Sequence, residues 1–438
     1  MDYNVPIMSR IRNWFQQTTP TGLIILSVAV GVGGACGAAL FHTLIYYSTF
    51  AFYGHDGSAN FIGIVEAMPV WQRLLIPTLG GLLVGIIFKL AKVSEAEGEG
   101  VPEVMEALAH KRGTIRPVVA PVKIITAAIT LGSGGSAGRE GPVIQIGSAI
   151  GSSVAQFMKM ADKERSLLLA AGAAAGIGGT FGAPIAGVLF TVEILHHRAH
   201  NLLRAFVIII AAFVGTYGSQ LLTNQKGLRF ALEDTGTISI VTFLCLVCLG
   251  VLAALTALSF GKVLNFARLH FQKIHLPHWL KPAIGGLLIG IIGLYLPYIH
   301  EPAAYPFMID LITLKTLPLT FLVLLLIIKM LSTSITLGSG GSGGIFAPLL
   351  LMGAVVGSIL ASILLFLNII PLASVPVFII IGMAAVFAGA AHAPLTASFI
   401  TYEVTSDISL LPFLLVVCFV ATYAAKKINP QSVYHLHD

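Results

Sequence analysis

The chain has 438 residues, of which 56% are hydrophobic and only 10% are charged, whereas an ordinary soluble domain carries about 25% charged residues. This composition excludes a soluble globular protein and predicts one integral, multi-pass domain in a lipid bilayer. The formal charge of +6 does not indicate a nucleic-acid partner, because the lysines and arginines are scattered through the loops between apolar segments.

The first twenty residues differ from a cleavable signal peptide, because Arg10 and Arg12 leave no room for its apolar core. We expect residues 1–20 to form a short interfacial helix on the cytoplasmic face. The transmembrane domain is predicted to extend over residues 21–427, and residues 428–438 are expected to form a short C-terminal tail.

Apolar segments then follow along the chain. They lie at about 21–53, 74–91, 117–131, 142–158, 166–196, 204–223, 238–265, 280–299, 318–337, 346–368, 370–403 and 408–427. Several are shorter than the roughly 20 residues that a spanning helix needs, and others are interrupted by glycine and proline, as at Gly182–Pro184 and His392–Pro394. Broken helices that meet inside a membrane protein are typical of a transport site.

An internal repeat divides the chain into two halves. Three blocks recur in the same order at nearly one offset: Pro77–Ile87 at Pro282–Ile292, Lys123–Ser136 at Lys329–Ser342, and Ala183–Glu193 at Ala393–Glu403. Low-complexity usage of glycine and leucine does not explain three collinear blocks. We predict a first repeat at about 74–200 and a second at about 280–427.

The charges of two loops indicate how the repeats are oriented. The loop after the first block is basic, with Lys92, Lys111 and Arg112, whereas residues 298–314 after the matching block contain no lysine or arginine. By the positive-inside rule, the first loop is cytoplasmic and the second is outside. The predicted fold class is an all-α polytopic membrane protein, built from two inverted-topology repeats of broken, tilted helices with a site near the membrane midplane.

Three glycine-rich stretches share a proline that is placed to lie in the first turn of a helix. They are Gly98–Pro102, Gly138–Pro142 and Gly344–Pro348, with Pro102, Pro142 and Pro348 as the helix-start residues. The free N–H groups and the positive dipole end of each helix would attract a small anion without binding it too tightly. Close packing of small residues is the alternative interpretation of any one stretch.

Glu140 is the residue of these stretches that most strongly indicates a function. It follows Arg139 in an otherwise apolar part of the chain, and a charge at membrane depth costs roughly 2.5–3.5 kcal/mol even on a lenient scale. A charge kept at that cost is a candidate functional group.

The three stretches together resemble the signature motifs of the CLC family of chloride channels and chloride/proton antiporters, and the resemblance extends from about residue 20 to residue 436. It implies a bacterial-type protein of the inner (cytoplasmic) membrane. It also implies a homodimer with one pore in each subunit, which moves chloride and protons without enzymatic activity, cofactor or metal. Because the chain stops at Asp438, we expect none of the cytoplasmic CBS domains that some members carry.

The resemblance also assigns site residues. Glu140 corresponds to the external gate and proton acceptor, whose carboxylate occupies an anion site when ionised. Tyr434 matches the central tyrosine whose hydroxyl helps to hold the anion. The full set of anion-binding residues implied by the motifs is Glu99, Gly100, Val101, Arg139, Glu140, Gly141, Ile345, Phe346 and Tyr434.

Two positions depart from the family pattern. Glu99 stands where a serine is usual, and an ionised carboxylate repels an anion to which a hydroxyl would donate. Glu99 either points away from the pore, or is protonated, or alters the central site, or belongs to a solvated acidic loop with Glu95 and Glu97. Ile194 stands where proton-coupled members carry a second glutamate, which favours a passive channel.

The leading hypothesis is chloride/proton antiport gated by protonation of Glu140. A passive chloride channel without proton coupling is the first alternative, and a fluoride/proton antiporter is the second. A remote alternative is an intramembrane serine hydrolase that uses Ser133 or Ser136 with His392.

Overall fold

The computed structural model describes residues 19–55, 61–196, 201–224, 227, 229–230, 238–300, 305–313 and 317–435. The predicted interfacial helix over residues 1–20 lies outside these ranges except for its last two residues. There, Thr19 caps the first helix by accepting a hydrogen bond from the Gly22 N–H at 3.1 Å. The described chain is helical throughout, with two isolated β-bridges and no extended strand.

The first half contains nine helices in the described residues. They are α1 (Pro20–Tyr53), α2 (Phe61–Ala67), α3 (Val70–Ala91), α4 (Val101–Ala109), α5 (Val119–Gly132), α6 (Glu140–Phe157), α7 (Asp162–Phe181), α8 (Pro184–Glu193) and α9 (Leu202–Thr223).

The second half contains eight helices in the described residues. They are α10 (Ile240–Lys273), α11 (Lys281–Tyr295), α12 (Tyr305–Ile312), α13 (Leu319–Gly338), α14 (Phe346–Phe366), α15 (Val375–Ala391), α16 (Pro394–Thr405) and α17 (Leu411–Ile428). Nine candidate spans in the described chain are long and apolar enough to cross a membrane, which confirms the all-α polytopic fold. The predicted bounds of the two repeats stay a prediction.

Paired glycines bring the first repeated block of each half into backbone contact. A methyl group added at Gly81 of α3 would meet the carbonyl of Pro282, and one at Gly286 of α11 would meet the carbonyl of Pro77. The helices therefore cross where neither has a side chain, and the contact is the same from both sides. This reciprocity explains why the block recurs with both glycines.

Glu193 and Glu403 stabilise each other's repeat in the same reciprocal way. The Glu193 carboxylate accepts hydrogen bonds from Leu395 N at 3.0 Å and Thr396 N at 2.6 Å, at the start of α16. Glu403 accepts from Ile185 N at 3.0 Å and from Ala186 N, at the start of α8. Each carboxylate satisfies N–H groups that have no partner within their own helix.

Two long apolar segments divide into separate helices at the glycine- and proline-containing interruptions seen in the sequence. Residues 370–403 form α15 and α16, separated at His392, whose φ of 58° is left-handed, and residues 166–196 contain α7 and α8. Three short helices, α2, α4 and α12, were not among the predicted apolar segments, although the start of α4 was predicted at Pro102. Helices of seven to nine residues contain too few turns for a clear apolar pattern.

Candidate anion and proton site

The three glycine-rich stretches meet at the interface between the repeats. Gly138 and Gly344 exchange backbone hydrogen bonds, with N···O distances of 2.6 and 2.7 Å, and Gly343 N donates to Gly98 O at 3.1 Å. A methyl group at Gly141 would meet the Glu99 carbonyl and Gly344 Cα. The glycines allow the three chain segments to approach at backbone contact distance.

Three helices begin at this meeting point. Helix α4 starts at Val101, α6 at Glu140 and α14 at Phe346. Pro102, Pro142 and Pro348 lie in the first turns of these helices. The unpaired N–H groups and positive dipole ends of the three helices thus converge on one small region.

The Glu140 carboxylate is buried at this convergence, with 2% of the residue exposed. One oxygen, Oε2, accepts from the Ala347 N–H at 3.4 Å, at the start of α14. The other oxygen, Oε1, accepts from the hydroxyl of Tyr305 in α12. The carboxylate of the first repeat therefore occupies the helix N-terminus of the second.

Arg139 turns away from the helix N-termini toward two aromatic side chains. Its Nη1 lies 3.1 Å from Nδ1 of His42 in α1, and its guanidinium carbon lies 4.7 Å from the ring centroid of Tyr305. A guanidinium stacked on an aromatic face is attracted by the negative face of the ring.

Glu99 is buried, with 1% of the residue exposed, and its Oε1 forms an ion pair with Arg268 of α10. The solvated-loop interpretation of Glu99 is therefore wrong. The apolar packing around residues 96–104 encloses it, whereas Glu95 and Glu97 remain partly exposed. Its Oε2 has no hydrogen-bond partner among the described residues.

The loop that carries Glu99 is fixed from behind by Lys123, the first residue of the second repeated block. Lys123 is fully buried in α5, and its Nζ donates to Ala96 O at 3.2 Å and to Gly98 O at 2.7 Å. The lysine is thus committed to backbone carbonyls and shapes the loop.

Tyr434 lies between the site and a large cavity. It is buried, with 4% of the residue exposed, and is close enough to both Glu99 and Glu140 to interact electrostatically with them. Tyr434 also lines a cavity of about 1030 Å³, together with Pro102, Glu103, Leu195, His196 and His435. Tyr434 is therefore a buried residue shared by the wall of this cavity and the surroundings of Glu99 and Glu140.

Ile345 and Phe346 form the second repeat's side of the site. Both are buried, and the Phe346 ring packs on Phe181 and Phe387 at centroid distances of 4.9 and 4.3 Å. Where the first repeat places a charged pair, the second places two buried apolar side chains, of which Phe346 packs α14 against α7 and α15.

Ile194 is buried directly after α8, with 2% exposed. Its neighbour Glu193 is engaged at the start of α16, and the next residue, Leu195, lines the cavity. Among the described cavity-lining residues, Glu103, Glu106 and Asp162 carry carboxylates.

The serines of the remote hydrolase alternative have structural partners. Ser133 Oγ donates to Thr130 O at 3.3 Å, and Ser136 Oγ lies 3.0 Å from Thr333 Oγ1 across the repeat interface. His392 ends α15 in a left-handed conformation. No described hydrogen bond joins His392 to either serine.

Three residues of the site were missed by the sequence reasoning. Tyr305, Arg268 and His42 belong to none of the three glycine-rich motifs and to none of the repeated blocks. Each reaches the site from a helix distant in sequence, so spacing along the chain carries no signal of the contact.

The fold and the site together define a class of protein: a membrane transporter of inverted repeats, with a carboxylate seated among converging helix N-termini. Residues 80–426 match the family model described as "Voltage gated chloride channel". The chain belongs to this family.

Individual relatives cover nearly the whole chain. The H(+)/Cl(-) exchange transporter ClcA of Vibrio parahaemolyticus is 30% identical over 429 residues, which are 95% of this chain and 89% of the relative. The voltage-gated ClC-type chloride channel ClcB of Escherichia coli is 27% identical over 427 residues, covering 94% and 98% of the two chains. The crystal structure of a slow cyanobacterial Cl-/H+ antiporter superposes with a TM-score of 0.82 at 26% identity, covering 94% and 96%.

Proposed function

We propose that this chain exchanges chloride for protons across the inner (cytoplasmic) membrane, with Glu140 as the gate and proton acceptor. The observation that carries the proposal is the Glu140 carboxylate on the Ala347 N–H, at the N-terminus of α14. A negative group at that position stands where a chloride ion would bind. The similarity to a relative named as a H(+)/Cl(-) exchange transporter supports the same function.

In the proposed mechanism, the Glu140 carboxylate and chloride compete for one binding site at the N-terminus of α14. The ionised carboxylate is stabilised by the positive end of the helix, so that it excludes an anion. A proton from outside removes the charge and with it most of that stabilisation. The side chain then leaves, and chloride takes its place on partial charges that bind it weakly enough for release.

Further anion contacts come from the backbone at the starts of α14 and α4 and from Tyr434. The backbone N–H groups around Ile345 and Phe346, and those near Gly100 and Val101, would donate to the anion, as would the Tyr434 hydroxyl. Gly141 gives the three segments room, and Arg139 adds positive potential. Glu99 pairs with Arg268 and, in this proposal, does not contact the anion.

A passive chloride channel is the second candidate, because Ile194 offers no carboxylate for a proton on the cytoplasmic side and one relative is named as a channel. The reversal potential of reconstituted protein under a chloride gradient, with pH recorded, separates the two. Antiport predicts that the chloride gradient drives protons uphill, whereas a passive channel predicts no coupled proton movement. Efflux of chloride and of fluoride, compared in the same vesicles, tests the fluoride alternative.

Glu140→Gln is the variant that tests the gate. It should abolish proton movement and leave a chloride flux that is largely insensitive to external pH, because the amide cannot ionise. A steep pH response in Glu140→Gln would overturn the assignment of Glu140.

We also propose a homodimer, as the family resemblance implies, with a separate pore in each 46.2 kDa chain. The mass of the detergent-solubilised protein, corrected for bound detergent, tests this directly. A mass of one chain would overturn the proposed dimer.

A further inference from the structure

Tyr305 brings a hydroxyl from the second repeat onto the gate of the first. It is the first residue of α12 and is buried, with 7% exposed. Its hydroxyl donates to Glu140 Oε1, and α12 itself packs against α14 and α15. The two Glu140 oxygens are therefore both occupied by donors from the second repeat, one a backbone N–H and one a phenol.

The orientation of the Tyr305 ring is fixed by a short chain of contacts. The Arg139 guanidinium lies over the ring at 4.7 Å, and His42 Nδ1 lies 3.1 Å from Arg139 Nη1. Three separate parts of the fold, namely α1, the start of α6 and α12, thus hold the phenol in place. A ring restrained in this way loses little further entropy when its hydroxyl bonds to the carboxylate.

We propose that Tyr305 is a latch on the gate. Its hydroxyl holds ionised Glu140 in the anion site and so sets the external pH at which the gate opens. The inference rests on the proposed role of Glu140. Among the described residues, the charged or titratable side chains that interact with the Glu140 carboxylate are Tyr305, Arg139 and Tyr434, and His42 contacts Arg139.

The direction of the effect follows from the chemistry of the contact. A hydroxyl that donates to a carboxylate favours its ionised form over its protonated form. Hydrogen bonds to charged groups are among the stronger ones in proteins. Removing the donor should therefore let the gate accept its proton at a higher pH, by about one to two pH units.

The test is chloride efflux from proteoliposomes as a function of external pH. Tyr305→Phe removes only the hydroxyl, and it should move the midpoint of activation upward by about one pH unit or more and raise the flux at neutral pH. Tyr298→Phe is the matched control, because the Tyr298 ring packs on Phe307 and Phe321 at 4.9 and 5.7 Å, close to α12. It should leave the midpoint where it is in the wild type.

The outcomes separate this inference from the proposed gate. If Glu140→Gln is insensitive to pH but Tyr305→Phe leaves the wild-type midpoint unchanged or lowers it, the latch is overturned and the gate stands. If Glu140→Gln itself keeps a steep response, the gate fails first. In the Glu140→Gln background, Tyr305→Phe should produce no further shift.

A second variant keeps the test decisive if Tyr305→Phe does not give a monodisperse protein. Arg139→Lys retains the positive charge but loses the planar group over the ring. It should move the midpoint in the same upward direction, by less than Tyr305→Phe. A downward shift in Arg139→Lys would contradict the latch.

Discussion

The starts of α6 and α14 share a glycine-rich motif but carry different side chains. Both follow a Leu-Gly-Ser-Gly-Gly-Ser run and both carry a proline in the first turn. The first repeat places Arg139 and Glu140 before that proline, and the second places Ile345 and Phe346. The shared part builds converging helix N-termini, and the difference supplies one titratable group where a symmetric protein would have two or none.

The comparison teaches that the shared sequence builds the converging helix N-termini of the proposed anion site, and that the proposed proton response depends on the residues that differ. The asymmetry extends beyond the motifs. Tyr305 of α12 bonds to Glu140, and Arg268 of α10 pairs with Glu99. In each case a carboxylate from the first half of the chain contacts a side chain from the second half.

The largest effect is expected at Gly141, a position where the first repeat has glycine and the second repeat has alanine. Gly141 corresponds to Ala347, yet a methyl group at Gly141 would meet the Glu99 carbonyl. Gly141→Ala should therefore abolish transport, because the added methyl group would push the loop that precedes α4, and contains Glu99, out of the site. Chloride efflux from proteoliposomes measures this.

The reciprocal change provides the control. Ala347→Gly creates no clash and should lower stability by only about 1 kcal/mol, as glycine does in a helix, while transport continues. Equal losses of flux in Gly141→Ala and Ala347→Gly would contradict the asymmetry of the two sites.

The next largest effect concerns the buried ion pair of Glu99. Arg268→Met leaves an unpaired carboxylate in an apolar environment and should lower the free energy of unfolding by about 3–5 kcal/mol. The double variant Glu99→Gln/Arg268→Met removes both charges and should recover much of that loss. Thermal unfolding in detergent measures both, and a double variant as unstable as the single one would show that the pair is not coupled.

Much of the fold was predictable because its signals are local or repeated. The apolar segments, the three proline-started helices and the repeated blocks all lie within short stretches of the chain. The breaks at Gly182 and His392 were likewise visible, because glycine or a residue before an Ala-Pro pair ends a helix.

The contacts that specify the site were not predictable in the same way. The partners of Glu99 and Glu140 lie 169 and 165 residues further along the chain, and no repeated block contains Arg268 or Tyr305. The substitution of Glu99 for a serine pointed to an altered site, but only the packing of α10 supplies its counter-charge.

A smaller effect is expected at the reciprocal helix starts. Glu193 accepts three hydrogen bonds, including one from Thr396 Oγ1 at 2.7 Å, whereas Glu403 accepts two. Glu193→Gln and Glu403→Gln should each destabilise the protein by about 1–3 kcal/mol, with Glu193→Gln the more severe. Thermal unfolding of the two variants side by side measures the difference, and the reverse order would contradict this accounting of the two caps.

The smallest effect is expected at the edge of the site, where Glu95 pairs with Arg116 on the surface. Partial burial works against the charged form of Glu95, but the hydrogen bond and charge of Arg116 outweigh it, so that the pKa of Glu95 is lowered. A lowered pKa contributes stability that is present above the unfolded-state value and is lost as the pH falls through the folded-state value. Glu95→Gln should therefore reduce the unfolding temperature slightly at neutral pH and not at all in acid, since exposed pairs are weak. Glu99 is buried and lies four residues further along the chain, so Glu99→Gln should change the unfolding temperature far more than Glu95→Gln. Equal shifts of the unfolding temperature in the two variants would contradict this difference in burial.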